Sequence, residues 1–204
     1  MPGTLLFGGS FDPIHHGHLI VARAVAEQLA APRVVLIPSA QPPHKLNWTL
    51  APAAERLKMC QLAVANDPLF EASDWELGQP GPNFTLQTVE RFRTICAGPL
   101  YWLIGMDSLA ELTTWRRVAD LAAACTLVTA RRPGFDVPDL GLLEGLIGAD
   151  LVARIRAQIK DTPQIDISAT ELRRRVRAGQ SIRYLAPEAV VRHIEQRGLY
   201  AAGR

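Results

Sequence analysis

Short, uninterrupted apolar runs set between helix-length amphipathic segments constrain this chain more than any other feature. Leu5-Leu6-Phe7 is the first run, and Val34-Val35-Leu36-Ile37, ended by Pro38, is the second. Leu100-Tyr101-Trp102-Leu103-Ile104 and Cys125-Thr126-Leu127-Val128-Thr129 follow, and Ile165-Asp166-Ile167 makes a short fifth. Helical periodicity occupies residues 19–29, 53–65 and 85–95 and most of 109–124, while 70–77 is extended in character. A last helix is predicted over 187–196, with Gly198 as its stop. Strands that are apolar throughout are buried on both faces, so the pattern predicts an α/β fold: a doubly wound parallel sheet with helices on both faces. The chain has 204 residues, enough for one domain spanning 1–204. The helical portion from about residue 168 is expected to pack on that same domain.

In such a sheet ligands lie beyond the carboxyl ends of the strands, where the strand order reverses. Four polar segments fall at those ends. The first is Gly8-Gly9-Ser10-Phe11-Asp12-Pro13-Ile14-His15-His16-Gly17-His18. Its glycines allow close backbone approach, and the helix that follows offers outward N–H groups and a partial positive charge. His15 and His18 stand one helical turn apart and add donors. A polyphosphate fits this combination. A metal site is the competing reading, weakened because no third ligand stands at a usual spacing.

Ser168-Ala169-Thr170-Glu171-Leu172-Arg173 is the second segment. Ser-x-x-Glu before a helix predicts a capping box, and a capped helix start remains an anion site. The Ser168 and Thr170 hydroxyls and Arg173 add phosphate donors. Gly105-Met106-Asp107 places a carboxylate at a strand end, suited either to a ribose or to capping the next helix. The fourth segment is Arg131-Arg132-Pro133-Gly134. Pro42-Pro43-His44-Lys45, in the connection after the second strand, adds a point charge and a donor. Asn83-Phe84-Thr85 and Trp115 are candidates to receive a flat ring.

A net charge of +2 gives no bulk field that would draw nucleic acid. No apolar run reaches bilayer-spanning length and no signal segment precedes the first strand. Cys60, Cys96 and Cys125 lack metal-ligand spacing, which suits a reducing cytoplasm. A homo-oligomer is compatible with the sequence.

Together these motifs resemble the nucleotidyltransferase superfamily of α/β phosphodiesterases. Its first signature resembles Gly8-Gly9-Ser10-Phe11-Asp12-Pro13 with His15-x-Gly17-His18, and its second Ser168-x-Thr170-x-x-Arg173. Pro42-Pro43-His44-Lys45, Gly105-x-Asp107, Trp115, Arg132-Pro133-Gly134 and Tyr184-Leu185-x-Pro187 narrow the resemblance to the bacterial nicotinate-nucleotide adenylyltransferases, over nearly the whole chain. The resemblance implies a Rossmann-like fold and the reaction of ATP with nicotinate mononucleotide to give deamido-NAD and pyrophosphate.

It further implies that Gly8, Gly9, Ser10, Phe11, His15, His18, Gly105, Asp107, Ser168, Thr170 and Arg173 bind ATP. Ser10, His44, Lys45, Phe84, Thr85, Trp115 and Arg132 would bind nicotinate mononucleotide. His15, His18, Lys45 and Arg173 would carry the chemistry, with Mg2+ arriving on the ATP phosphates and no dedicated metal cage. Ser10 stands where the family often has threonine, and Phe84 where it often has tyrosine.

Nicotinamide mononucleotide and phosphopantetheine are alternative acceptors on the same fold. A dinucleotide-dependent oxidoreductase would need a Gly-x-Gly-x-x-Gly turn and an acidic residue after the second strand, where Ser39-Ala40 stand instead. A binding-only nucleotide module is the remaining alternative.

Overall fold

A computed structural model describes residues 1–40, 50–131, 134 and 136–201. Its strands are β1 (Thr4–Gly9), β2 (Arg33–Pro38), β3 (Phe70–Ala72), β4 (Leu100–Gly105), β5 (Thr126–Ala130) and β6 (Ile159–Lys160). They form one sheet in the order β3-β2-β1-β4-β5-β6, and each neighbouring pair is parallel. The order reverses between β1 and β4, so the crevice for a ligand opens beyond the carboxyl ends of those two strands.

Side-chain alternation along the strands feeds two cores. Leu5, Leu36, Leu103 and Val128 point into the first. It is closed by α1 (His16–Gln28), α2 (Ala53–Val64), α8 (Ala169–Arg177) and α9 (Glu188–Arg197). Leu6, Val35, Trp102 and Leu127 point into the second. That face is covered by α3 (Thr85–Ile95), α4 (Met106–Ala110), α5 (Val118–Ala124), α6 (Gly141–Ile147) and α7 (Ala149–Ala157). Helices on both faces of a parallel sheet are what the apolar runs required. Among the described residues no helix is long and apolar enough to cross a membrane.

Three local expectations fail. Ile165-Asp166-Ile167 joins no ladder; the place beside β5 is taken by β6, a pairing only two residues long. So short an edge strand leaves no periodicity to read. The isoleucines are apolar for packing reasons, Ile167 against the first core and Ile165 against Gly17. The expected helix over 109–124 breaks into α4, a 3-10 turn at Leu112–Thr114 and α5. Thr113-Thr114-Trp115 are weak helix formers, and Arg117 takes a left-handed φ of 55° just before α5. Only Phe70–Ala72 of the extended stretch pairs in the sheet, and Trp75–Gly78 winds into a 3-10 turn.

Candidate active site

The two glycines at the end of β1 leave room for protein rings on their Cβ side. A Cβ on Gly8 would lie 2.6 Å from the Trp102 ring, and one on Gly9 would lie 3.2 Å from that of Phe11. Any approach of a ligand to them therefore uses the backbone. Phe11, nearly fully buried, holds a left-handed φ of 44°. Its ring meets Phe7 and His18 edge-on, with centroids 5.4 and 5.1 Å apart.

His15 is the N-cap of α1, and its ring stacks on His18 at 3.7 Å between centroids. The His15 backbone N–H donates to His18 Nδ1 over 3.2 Å. An Nδ1 that accepts leaves the proton on Nε2, so His18 presents an N–H donor in its neutral form. Gly17 makes the pairing fit: a Cβ there would lie 3.1 Å from His15 Nδ1 and 3.4 Å from Ile165. The spacing His-x-Gly-His is thus a packing requirement of two stacked rings over the first turn of α1.

The second helix start lies against this loop. Arg173 donates to the Asp12 carbonyl at 2.7 Å and to Thr170 Oγ1 at 3.2 Å, and stands 3.8 Å from Asp12 Oδ2. Ser168 caps α8 by accepting from the Glu171 N–H at 3.2 Å. The expected capping box is only half made, because both Glu171 carboxylate oxygens receive Arg174 at 2.7 Å. The carboxylate goes to the guanidinium one turn along the exposed face.

Arg56, buried on α2, ties the neighbouring loops together. Its guanidinium donates to the carbonyls of Ser10 (2.8 Å), Ser39 (2.7 Å), Ala40 (3.2 Å) and Ala51 (3.0 Å). Burial pulls its pKa below the ordinary arginine value, opposed by the nearby charge of Asp12. Ser39 further donates to the Gly9 carbonyl from both its N–H and its hydroxyl. The Ala40 N–H reaches Asn83 Oδ1 at 3.1 Å, and Asn83 Nδ2 donates to the Glu76 carbonyl. This chain of contacts leads from the phosphate-type loop to Phe84 and Thr85 at the start of α3. Arg116, next to Trp115, covers the Phe84 ring at 4.6 Å.

The profile of the cytidylyltransferase-like family matches residues 6–175. A probable nicotinate-nucleotide adenylyltransferase of Roseiflexus castenholzii is 42% identical over 97% of this chain and 97% of its own length. One from Moorella thermoacetica is 39% identical over 98% and 92%. The chain belongs to the nicotinate-nucleotide adenylyltransferase family. The fold agrees: nicotinic acid mononucleotide adenylyltransferase of Plasmodium falciparum, solved in complex with NaAD, superposes with a TM-score of 0.76. That match has 15% identity and covers 98% of each chain.

In this adenylyltransferase Asp107 is not the N-cap residue of α4 but lies in its first turn. Gly105 is the N-cap of α4, and a Cβ on it would lie 2.4 Å from Asp107 Oδ1, so the glycine lets the carboxylate fold back over the strand end. Trp115 ends the 3-10 turn after α4, half-buried against the second core. His44, Lys45 and Arg132 lie outside the described residues. Sequence reasoning missed Arg56, Glu76 and Tyr200. Tyr200 donates to Asp12 Oδ1 at 2.7 Å. Burial pushes the Glu76 carboxyl up to about 7, against the lowering effect of the hydrogen bond from Thr88 at 2.5 Å. Arg56 in a helical segment, Glu76 in an extended one and Tyr200 beyond the last helix carried no local signal of these contacts.

Proposed function

We propose that this chain transfers the adenylyl group of ATP to nicotinate mononucleotide, giving nicotinate adenine dinucleotide (deamido-NAD) and pyrophosphate in NAD biosynthesis. The observation that carries the reading is the clasp between Arg173 of α8 and the Asp12 carbonyl of the glycine–histidine loop. It sets two helix starts of phosphate-binding type side by side, as a triphosphate attacked at its α-phosphorus requires. The names of the relatives support nicotinate mononucleotide as acceptor.

A phosphate oxygen of the mononucleotide attacks the α-phosphorus in line. The new P–O bond forms as the bond to the β-phosphate oxygen breaks, and the electron pair leaves with pyrophosphate. The nucleophile is already anionic, so no general base is needed. His18 donates from Nε2 to a non-bridging oxygen, and His15, stacked on it, fixes its ring plane. Arg173 and the Ser168 and Thr170 hydroxyls hold the departing phosphates. Gly8, Gly9, Ser10 and Phe11 offer backbone at the turn, with Gly105 and Asp107 at the ribose. Phe84, Thr85 and Trp115 take the pyridine ring, and α3 supplies N–H groups at its start for the ring carboxylate. By motif, His44, Lys45 and Arg132 add charge for the mononucleotide.

Among the described residues no three His, Cys, Asp or Glu side chains converge on one point. Mg2+ bound with the triphosphate would supply charge neutralisation beside Arg173. The reading places the enzyme in the cytoplasm. Pyrophosphate release measured with ATP and each pyridine mononucleotide tests it. The nicotinate form is expected to show the higher kcat/KM, and a clear preference for the amide overturns the assignment.

A further inference from the structure

We propose that Tyr200 is a positioning residue that keeps the charge of Arg173 available to the triphosphate by occupying the Asp12 carboxylate. The inference rests on the ATP-binding reading of this site. Asp12 is 1% exposed, and a buried carboxylate must be compensated by donors or by a cation. Oδ1 receives the Tyr200 hydroxyl at 2.7 Å and the Ala51 N–H at 3.2 Å. Oδ2 has no hydrogen bond among the described residues, and Arg173 stands 3.8 Å from it while donating to the Asp12 carbonyl at 2.7 Å. The guanidinium is therefore hydrogen-bonded to a neutral oxygen and meets the carboxylate only in a long ion pair at 3.8 Å, one short movement away from a hydrogen-bonded one. Removing the phenol donor leaves the carboxylate undercompensated. Among the described residues Arg173 is the cation in ion-pair range of it, whereas Arg56 is committed to four backbone carbonyls. An arginine drawn fully onto the carboxylate has less charge to give a phosphate.

Tyr200 is built to stay where it is. Gly198 (φ 60°) ends α9, the Leu199 N–H closes back on the Ile194 carbonyl at 3.0 Å, and Tyr200 itself adopts φ 65°. A bulky residue in the left-handed region is strained unless its surroundings hold it there. α9 is in turn pinned to α2: Glu55 accepts from His193 at 2.7 Å and from Arg197 at 2.6 Å. Burial first, and the adjacent Asp12 charge second, raise the phenol above the ordinary tyrosine range, so Tyr200 stays a donor across the working pH range.

Calorimetric titration of ATP with magnesium into wild type, Tyr200→Phe, Arg173→Met and the double variant tests the proposal. Tyr200→Phe is expected to raise the ATP Kd by about fivefold, the size of one lost indirect hydrogen bond. The KM for the mononucleotide should stay within about twofold and Tm within about 2 °C of wild type. In the Arg173→Met background the same change should have no further effect. Equal losses in both backgrounds overturn the proposal. So does a Tyr200→Phe protein that loses Tm and both affinities together, which assigns Tyr200 to the scaffold alone. A wild-type chain that does not bind ATP sinks the functional reading and takes this inference with it, whereas ATP binding with additive losses sinks the inference alone.

Discussion

At Gly17 two requirements point in opposite directions, which makes the residue a sharp probe of the site. Alanine is the better helix former by about 1 kcal/mol, so Gly17→Ala should strengthen the first turn of α1. The same methyl would press on the His15 ring at 3.1 Å and displace it from the stack on His18. We predict that Gly17→Ala changes Tm by no more than about 3 °C while kcat falls at least tenfold. Steady-state kinetics beside a thermal melt reads both, and unchanged kcat would refute the stacking role. The spacing of His15, Gly17 and His18 within a single turn was visible in the sequence, but the packing reason for the glycine was not. Nor were the contacts of Asp12, Arg56 and Tyr200: Tyr200 meets Asp12 across 188 positions and Arg56 meets Ser10 across 46. No local pattern encodes contacts of that range. For Gly8 and Gly9 the structure adds a reason that the sequence did not offer, since the rings of Trp102 and Phe11 claim the space their missing side chains leave.

Elements were legible where they are long and regular. β1, β2, β4 and β5 matched their apolar runs, and α3 matched its periodicity over Thr85–Ile95. Short elements whose form depends on neighbours were not, β6 and the two 3-10 turns among them. The turn at Trp75–Gly78 carries a consequence for pH. Glu76 is buried there, with Thr88 donating to its carboxylate and Asn83 to its carbonyl. Burial raises the native carboxyl to about 7 from an ordinary 4.5. Between those values the native state binds more protons than the unfolded chain, so stability falls as pH rises through that window and the full penalty applies above it. Glu76→Gln retains an oxygen to accept from Thr88 and removes the charge. It should nearly match wild type at pH 4.5 and exceed it by about 3 kcal/mol at pH 8, read from urea midpoints at the two pH values. A variant less stable than wild type at pH 8 would show that the charged carboxylate is favoured in place.

On the scale of the molecule, the alternation of Leu5 with Leu6 and of Val34 with Val35 divides the interior into two cores, one on each face of the sheet. The first core is assembled from both ends of the sequence, Ile14 and Val25 packing in the same cluster as Val190, Val191 and Ile194. The apolar runs foretold two covered faces, but not that α9 would close the face nearest the phosphate-type loop, because pairing of distant helices leaves no periodic trace. Val190, Val191 and Ile194 are each no more than 2% exposed, and burying a side chain of that size contributes roughly 2 kcal/mol. Three of them reach about 6 kcal/mol, comparable to the whole net stability of a domain at about 5–15 kcal/mol. The Glu55 anchor and the Tyr200 hydrogen bond leave with the same helix. A chain ended after Ala186 should therefore lose its cooperative urea transition, followed by tryptophan fluorescence, while Val191→Ala in the full chain should keep one transition at a lower midpoint. A truncated chain that still unfolds in a single sharp step would mean that the sheet and its other helices stand alone, and that α9 serves the site without holding up the core.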